Sequence, residues 1–308
     1  MLAYTNASRL SRPARYFMGI KKIPTALIAD YYNAKGNPDY FVDTDGKVIR
    51  TLRSALPYRS DYYVLSMCFG GEATLSVNLY DYYIRSGAFM TFIPEQIKQW
   101  HHISSDFQNI AVLFKKEYLL ANCADPNLLD SFPFFHFGSP PASFLAPQKT
   151  ELLGNCLKNI KKASQLDHAH RDEVVRSLIL ALLYNAAGVY EEDSALSVHS
   201  HTRQEIIFSQ FQHLVSRHIK TERALPFYAA ELHITAKHLS ETIKEVSGKT
   251  ARQWINEAVT LEAKVLLQDK LLTIGQVAEL LSFPDQSSFG KFFKAKAGYS
   301  PSAFRETF

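Results

Sequence analysis

Apolar and polar positions alternate differently in the two halves of the chain. In the first half, short runs rich in Tyr, Val, Phe, Ile and Leu recur between turn residues such as Gly70-Gly71 and Ser86-Gly87. Runs of this kind predict β-strands, and several of them at near-regular spacing favour a sandwich or a small barrel. The predicted strands are Thr25–Tyr32, Tyr62–Phe69, Ala73–Leu79, Tyr82–Arg85, Phe89–Ile93 and Asn109–Phe114.

The pattern changes to a helical one after Pro147. Apolar residues then recur at i, i+3, i+4 and i+7, which predicts amphipathic helices over residues 148–163 and 172–188. Residues 125–147 carry Pro and polar side chains and predict a loop with little regular structure. Residues 191–203 are polar and predict a linker, so the expected domains are residues 1–190 and 204–308.

An internal repeat occupies the second domain. Six residues match six others at an offset of 50 positions, and upstream of them the offset becomes 49. A duplicated unit of helix, turn and helix is the simplest explanation. The pairs at offset 50 are Leu239/Phe289, Ile243/Phe293, Lys244/Lys294, Gly248/Gly298, Thr250/Ser300 and Trp254/Phe304.

Capping residues mark the helix ends in both copies. Thr235 is a predicted N-cap of the second helix of the first copy, and Thr273-x-x-Gln276 is a capping-box pattern in the second copy. Gly248 and Gly298 stand where a residue of left-handed conformation would end a helix. These signals predict two helix-turn-helix motifs.

The second helix of each motif has a polar outer face once its apolar residues face the core. Amide and hydroxyl groups suit base edges, and lysines suit phosphates or guanine, so these faces predict contacts in the major groove. The candidate DNA-binding residues are Lys237, Ser240, Glu241, Lys244, Gln286, Ser287, Ser288, Lys291 and Lys294.

A long helix over Thr250–Asp269 is predicted between the two motifs. Two recognition helices reach one side of a duplex when they are spaced about one turn, roughly 34 Å, apart. A rigid connecting helix of about 20 residues, with a rise of about 1.5 Å per residue, has this scale.

The C-terminal residues resemble the AraC/XylS family of bacterial transcription regulators. The likeness is carried by TIGQVAELLSFPDQSSFGKFFKAKAGYSPSAFRE, residues 273–306, and by QWINEAVTLEAKVLL in the connecting helix. By position, the family's base-reading residues fall on the candidates named above, with Lys244 and Lys294 taken from the face pattern alone. The family often has Gly in each turn, whereas this chain has His233 and Ser282, which would need a left-handed conformation.

The first half resembles, more loosely, the cupin-like sensor domain of the same family. The segments GEATLSVN and GAFMTFIPEQIKQW within Tyr62–Phe114 carry this likeness. Cupin enzymes hold a metal through histidines, but here the corresponding segments read Tyr58-Arg59-Ser60-Asp61 and Lys98. We therefore expect no metal, no cofactor and no catalysis. The resemblance also implies a dimer interface in helices 148–188.

Histidine and tyrosine side chains offer further candidates. His101-His102, His168-x-His170 and His199-x-His201 lack a third ligand at a suitable spacing, so surface or linker positions are favoured over a metal site. Some tyrosines could line a ligand pocket, although packing between strands is the more common role. They are Tyr31, Tyr32, Tyr62, Tyr63, Tyr80, Tyr82 and Tyr83.

Composition adds few constraints. The net charge of +4 is weak evidence for a polyanionic partner, and three scattered cysteines argue against a disulfide framework. The N-terminus lacks the apolar region of a secretory signal, and no run of about 18 apolar residues predicts a membrane span. A cytoplasmic protein is expected.

These observations favour an α+β multidomain regulator with an N-terminal cupin-like β-barrel, flanking helices and an all-α double helix-turn-helix domain. The expected partners are double-stranded promoter DNA, RNA polymerase and a small-molecule effector of unknown identity, and activation is favoured over repression. Two alternatives remain. One is a cupin-type protein, metal-dependent or non-catalytic, with an accessory helical domain. The other is an interaction protein that binds protein, not DNA, through its helices.

Overall fold

The described residues of the computed structural model fall into two compact units, Lys22–Val198 and His199–Phe308. The structure describes residues 22–23, 28, 37–44, 46–51, 56–121, 123–136, 139–196 and 202–307.

Antiparallel strands form most of the first unit. A five-stranded sheet has the order β10-β7-β4-β9-β2, a three-stranded sheet has the order β6-β5-β8, and β1 pairs with β3 in parallel. Their bounds are β1 Lys22–Ile23, β2 Tyr40–Thr44, β3 Arg59–Ser60, β4 Tyr63–Gly70, β5 Glu72–Val77, β6 Tyr80–Arg85, β7 Ala88–Phe92, β8 Lys98–Ile103, β9 Gln108–Phe114 and β10 Ala142–Phe144.

The central strands of the larger sheet are buried on both faces. Successive residues of a strand point to opposite faces. In β4, Leu65 and Met67 belong to the core on one face, whereas Val64 and Ser66 line a cavity on the other. This is why β4 and β9 read as nearly continuous apolar runs and were predictable from the sequence.

Two long helices cover the outer face of this sheet. The helices of the unit are α1 Lys47–Thr51, α2 Lys116–Leu120, α3 Pro147–Ser164 and α4 Arg171–Leu196. Leu153, Leu157 and Ile160 of α3 pack with Ile179 and Leu183 of α4 in one core cluster. By length and composition Arg171–Glu192 could cross a membrane. One face of it packs into this core, where Val175, Ile179 and Leu183 are fully buried.

The second unit contains the helices that the repeat predicts. The connecting helix and both helix pairs are present, with ends that differ from the predicted ones by a few residues. Their bounds are α5 Arg203–His218, α6 Leu225–Glu231, α7 Ala236–Ser247, α8 Ala251–Leu267, α9 Ile274–Leu280, α10 Gln286–Ala297 and α11 Pro301–Arg305.

Several expectations need correction. Helix α4 extends to Leu196, so the first residues of the predicted linker 191–203 are helical, and α5 already begins at Arg203 after its N-cap Thr202. The predicted loop 125–147 contains two short 3-10 turns and β10. The predicted strand Thr25–Tyr32 lies outside the described residues except for Ile28, which is helical and buried.

Strands β2 and β8 were not predicted, and they share one feature. Each carries a buried charged residue, Asp43 in β2 and Lys98 in β8, both 2% exposed. A reading based on hydrophobic pattern assigns charged residues to solvent, so an inward-facing charge breaks the expected alternation.

The turns of the two helix-turn-helix motifs adopt the strained conformation that the sequence suggested. His233 has φ of 54° and Ser282 has φ of 52°, both in the left-handed region. For a residue with a Cβ atom, the left-handed conformation is about 1–2 kcal/mol less favourable than the right-handed one.

We predict that Ser282→Gly stabilises the second unit by about 1 kcal/mol, because glycine adopts positive φ without this steric penalty. The free energy of unfolding from urea titration is the measurement. Glu241→Gly is the matched control, since this residue is exposed within helix α7, where glycine destabilises by about 1 kcal/mol. Destabilisation by both substitutions would contradict the prediction.

Candidate nucleic-acid interface and ligand cavity

Helix α7 presents a polar face opposite its buried side. Leu239 and Ile243 are fully buried. Lys237, Glu241 and Lys244 are exposed on the other side. The Thr235 side chain caps the helix by accepting from the backbone N–H of His238, and Gly248 ends it at φ 71°. The outer face of this helix therefore has the polar character that the sequence predicted.

Helix α10 has the same construction in the second motif. Phe289 and Phe293 are fully buried. Asp285 caps the helix through a 2.7 Å hydrogen bond from the backbone N–H of Ser288. Among the predicted contact residues, those exposed on this helix are Gln286, Ser287, Lys291 and Lys294.

Two predicted contact residues are only partly exposed, Ser240 in α7 and Ser288 in α10. The Ser288 hydroxyl donates to Asp285 Oδ2 at 3.0 Å. Hydrogen bonds from Ser288 also lower the pKa of the Asp285 carboxyl. In the free protein, Ser288 thus forms part of the helix cap, and its oxygen keeps its capacity to accept a hydrogen bond.

Helix α8 connects the two motifs and is anchored along its length. Lys220, which follows α5, forms a 3.5 Å ion pair with Glu262, a residue of α8 that is 1% exposed. Arg305 of α11 donates to the backbone oxygens of Leu267 at 3.1 Å and Asp269 at 3.3 Å, and also to that of Leu272. The arginine thereby satisfies the carbonyl of Leu267, the last residue of α8, and ties the loop that follows α8 to α11.

A second contact joins the two motifs directly. The guanidinium of Arg223, in the loop before α6, lies 3.6 Å from the ring centroid of Phe283, in the turn of the second motif. Phe283 also contacts the rings of Phe289 and Phe292. This cation–π contact links the first motif to the turn that orients the second recognition helix.

A cavity lies between the two main sheets of the first unit. Residues of β2, β4, β7 and β9 form one side, and Lys98 and Trp100 of β8 form the other. Asp43, Asn109 and Lys98 supply polar groups to its wall, and each is at most 3% exposed. This combination of an apolar enclosure with a few polar groups is typical of small-molecule sites.

Lys98 is the most unusual residue of the cavity. Its Nζ donates to Ser60 Oγ at 2.5 Å and lies 5.4–5.6 Å from the ring centroids of Tyr58, Tyr62 and Phe92. Burial lowers the pKa of this amine to about 7, because removal from water penalises the charged form, while Glu95 and Asp61 partly oppose the shift.

The two segments compared with cupin metal ligands do meet in space, since Ser60 and Lys98 are hydrogen-bonded. Among the described residues, no group of three His, Cys, Asp or Glu side chains is placed to hold a metal ion. His101, His102, His168 and His170 are exposed. His199 and His201 lie outside the described residues.

Of the tyrosines considered for a pocket, Tyr62 lines the cavity. Tyr63 packs against Phe114 and Phe135 on the opposite face. Tyr80, Tyr82 and Tyr83 lie on β6, outside the cavity wall, and Tyr31 and Tyr32 are outside the described residues. The cavity is also lined by Asp43, Tyr58, Trp100 and Asn109. No local pattern predicts this, because strand register, not composition, brings these residues together.

Several known proteins are similar to this chain in sequence or in structure. Residues 228–307 match the family model described as "Helix-turn-helix domain". The arabinose operon regulatory protein of Salmonella typhimurium is 23% identical over 275 residues, covering 88% of this chain and 89% of the relative. The transcriptional activator RhaR of Pectobacterium atrosepticum is 32% identical over 94 residues, 29% of this chain and 33% of RhaR. The crystal structure of ToxT from Vibrio cholerae matches with a TM-score of 0.41 and 15% identity, covering 88% of this chain and 98% of ToxT.

The duplicated motif on a shared connecting helix defines a DNA-binding transcription regulator. These relatives are themselves transcription regulators rather than enzymes. Residues 228–307 carry a helix-turn-helix domain of the kind found in AraC/XylS-family regulators.

We predict that Lys98 makes the stability of the first unit depend on pH. The folded-state pKa is about 7 and the ordinary value is 10.5, so between these values the unfolded chain binds more protons and stability rises with pH. Below pH 7 both states are protonated, and the full cost of the buried charge is present. Between these two pKa values, the free energy of unfolding should rise by at most about 1.4 kcal/mol per pH unit.

Urea unfolding followed by Trp100 fluorescence in a Trp254→Phe background measures this dependence. Lys98→Met should remove the slope, whereas Lys162→Met, at an exposed lysine of α3, should retain it. Parallel curves for the parent and the Lys98→Met variant would show that the lysine titrates normally.

Proposed function

We propose that this protein binds promoter DNA through helices α7 and α10 and activates transcription in response to a small molecule. The observation that supports this most strongly is the pair of polar outer helix faces on one anchored scaffold. The DNA contacts are assigned to Lys237, Ser240, Glu241, Lys244, Gln286, Ser287, Ser288, Lys291 and Lys294.

The effector is proposed to bind in the cavity between the sheets, and cytoplasmic RNA polymerase is the proposed partner at the promoter. Activation is favoured because a relative similar to the C-terminal residues, RhaR, is named a transcriptional activator. Genomic footprinting of the purified protein, with and without candidate metabolites, tests both the DNA site and the effector. Footprints that never respond to any metabolite would remove the effector role.

We predict that Lys291→Ala lowers affinity for the selected operator by about 1–3 kcal/mol if the lysine reads a base. Lys296→Ala is the control, since this exposed lysine is on the same helix but about 140° around the axis from Lys291. Fluorescence anisotropy over a range of salt concentrations gives the dissociation constants, and affinity should fall steeply with salt. Equal losses for both variants, on operator and random DNA alike, would argue against base reading by Lys291.

A homodimer is proposed through the outward side of α3 and α4. Along α4, Val174, Ala181 and Tyr184 are exposed at helical spacing, and Tyr184 is 58% exposed. A row of uncharged residues on an exposed helix face suits a partner helix.

We predict that Ala181→Glu converts this dimer to a monomer, because it places a charge at the centre of that row. Sedimentation equilibrium measures the change. Ser105→Glu, at an exposed position in the turn after β8, adds the same charge away from both helices and should leave the dimer intact. A monomeric parent protein would remove the proposed interface.

A further inference from the structure

The cavity between the sheets contains an amine that the fold keeps out of water. Lys98 is 2% exposed, and within the described residues its Nζ forms no ion pair with a carboxylate. Three aromatic rings, those of Tyr58, Tyr62 and Phe92, lie 5.4–5.6 Å from it. A buried lysine in apolar surroundings is costly, so its presence indicates a use for the amine itself.

The charge of the cavity wall limits which ligands suit this amine. Asp43, 2% exposed, lines the same cavity as Lys98. A carboxylate ligand would be brought near this acidic side chain and would also lose its own hydration in an apolar enclosure. The wall therefore favours a ligand that enters without charge.

A hydrogen-bond acceptor in the wall points to a further property of the ligand. Asn109 Nδ2 donates to Ser66 Oγ at 3.2 Å, while its Oδ1 is buried without a hydrogen-bond partner among the described residues. A buried acceptor left unpaired costs about 1–3 kcal/mol. A ligand hydroxyl could satisfy Oδ1.

Cavity volume sets the size of the ligand. The centre of a water molecule can occupy about 40 Å³, and one water needs roughly 10–15 Å³ on this measure. The cavity thus has room for about three waters, or for a molecule with a few non-hydrogen atoms.

We propose that the cavity binds a short hydroxy-bearing aldehyde or ketone, which forms a reversible imine with Nζ of Lys98. The proposal rests on the proposed role of this cavity as the effector site. The neutral carbonyl avoids repulsion by Asp43, the amine supplies the nucleophile, and Asn109 accepts from the hydroxyl group.

The reaction balances without any oxidant or reductant. The lone pair of Nζ attacks the carbonyl carbon and forms a C–N bond, giving a carbinolamine. The C–O bond then breaks, both amine hydrogens leave with the oxygen as water, and a C=N bond remains. The neutral amine needed for attack is accessible near neutral pH because burial lowers the pKa of Lys98 to about 7. Hydrolysis reverses the reaction, so occupancy follows the aldehyde concentration.

Other ionisable groups near the amine act in opposing directions. Glu95 and Asp61 favour its protonated form, although less strongly than burial disfavours it. The pKa values of Tyr58 and Tyr62 are raised by burial, so both phenols are neutral near pH 7. Asp43 faces the cavity from β2.

Reductive trapping tests the proposal on the full-length protein. Glycolaldehyde is added at pH 7 with sodium cyanoborohydride, and peptide mass mapping follows each lysine over time. The peptide that contains Lys98 should gain the mass of the aldehyde less one oxygen atom. It should do so at least about 100-fold faster than the peptide of the exposed Lys162, because burial lowers the pKa of Lys98 to about 7.

The wild-type protein also provides a check that needs no substitution. The labelling rate of Lys98 should level off above pH 7, whereas the rates of exposed lysines should still be rising at pH 9. Lys98→Met should lose only the fast label. Ethylene glycol and glycolate, which match the probe in size but lack an aldehyde, should leave no adduct, and glycolate should compete poorly for the site.

The outcomes separate this site from the proposed function. Labelling of Lys98 no faster than Lys162, or strong protection by glycolate, would overturn the imine proposal while leaving DNA binding untouched. Fast labelling combined with a changed footprint supports both proposals. Fast labelling with an unchanged footprint supports the ligand site and overturns its role as the effector site.

Discussion

The DNA-binding unit depends on one constraint, the fixed position of helix α8 between the two motifs. A helix of 17 residues spans about 25 Å. It sets the distance between the two motifs only if both of its ends are fixed relative to them. Arg305 holds the C-terminal end through backbone oxygens, and the ion pair of Lys220 with the buried Glu262 holds the middle. These polar contacts add to the apolar packing of α8, in which Trp254, Val259 and Leu266 are buried.

The contact between Arg223 and Phe283 adds a restraint of a different kind. It joins a loop of the first motif to the turn of the second and does not pass through α8. The turn is already strained at Ser282, with φ of 52°. The guanidinium of Arg223 lies against the ring of Phe283, the residue after Ser282. This contact stabilises the strained turn and also restrains the orientation of the second recognition helix.

The sequence predicted the second unit more completely than the first. Its repeat, capping residues and closing glycines are local signals, and the structure places Thr235, Thr273, Gly248 and Gly298 in the corresponding roles. The first unit depends on contacts between distant segments. Tyr58 and Lys98 are paired by a bridge between strands, and no local pattern encodes that register. The predicted DNA contacts stay a proposal, since exposure on a helix face does not establish contact with a base.

The buried lysine connects the energetics of the first unit to its proposed function. A ligand can shift an equilibrium only by the difference between its interactions with the two states. The fold without ligand carries the cost of an amine enclosed by Tyr58, Tyr62 and Phe92. An imine would replace the amine with a less polar group and would provide Asn109 with a hydrogen-bond partner. Binding would therefore remove part of the free-energy cost of burying the amine of Lys98. This gain adds to the binding free energy of a small ligand, so that a ligand with few contacts could still shift the equilibrium between two states of the protein.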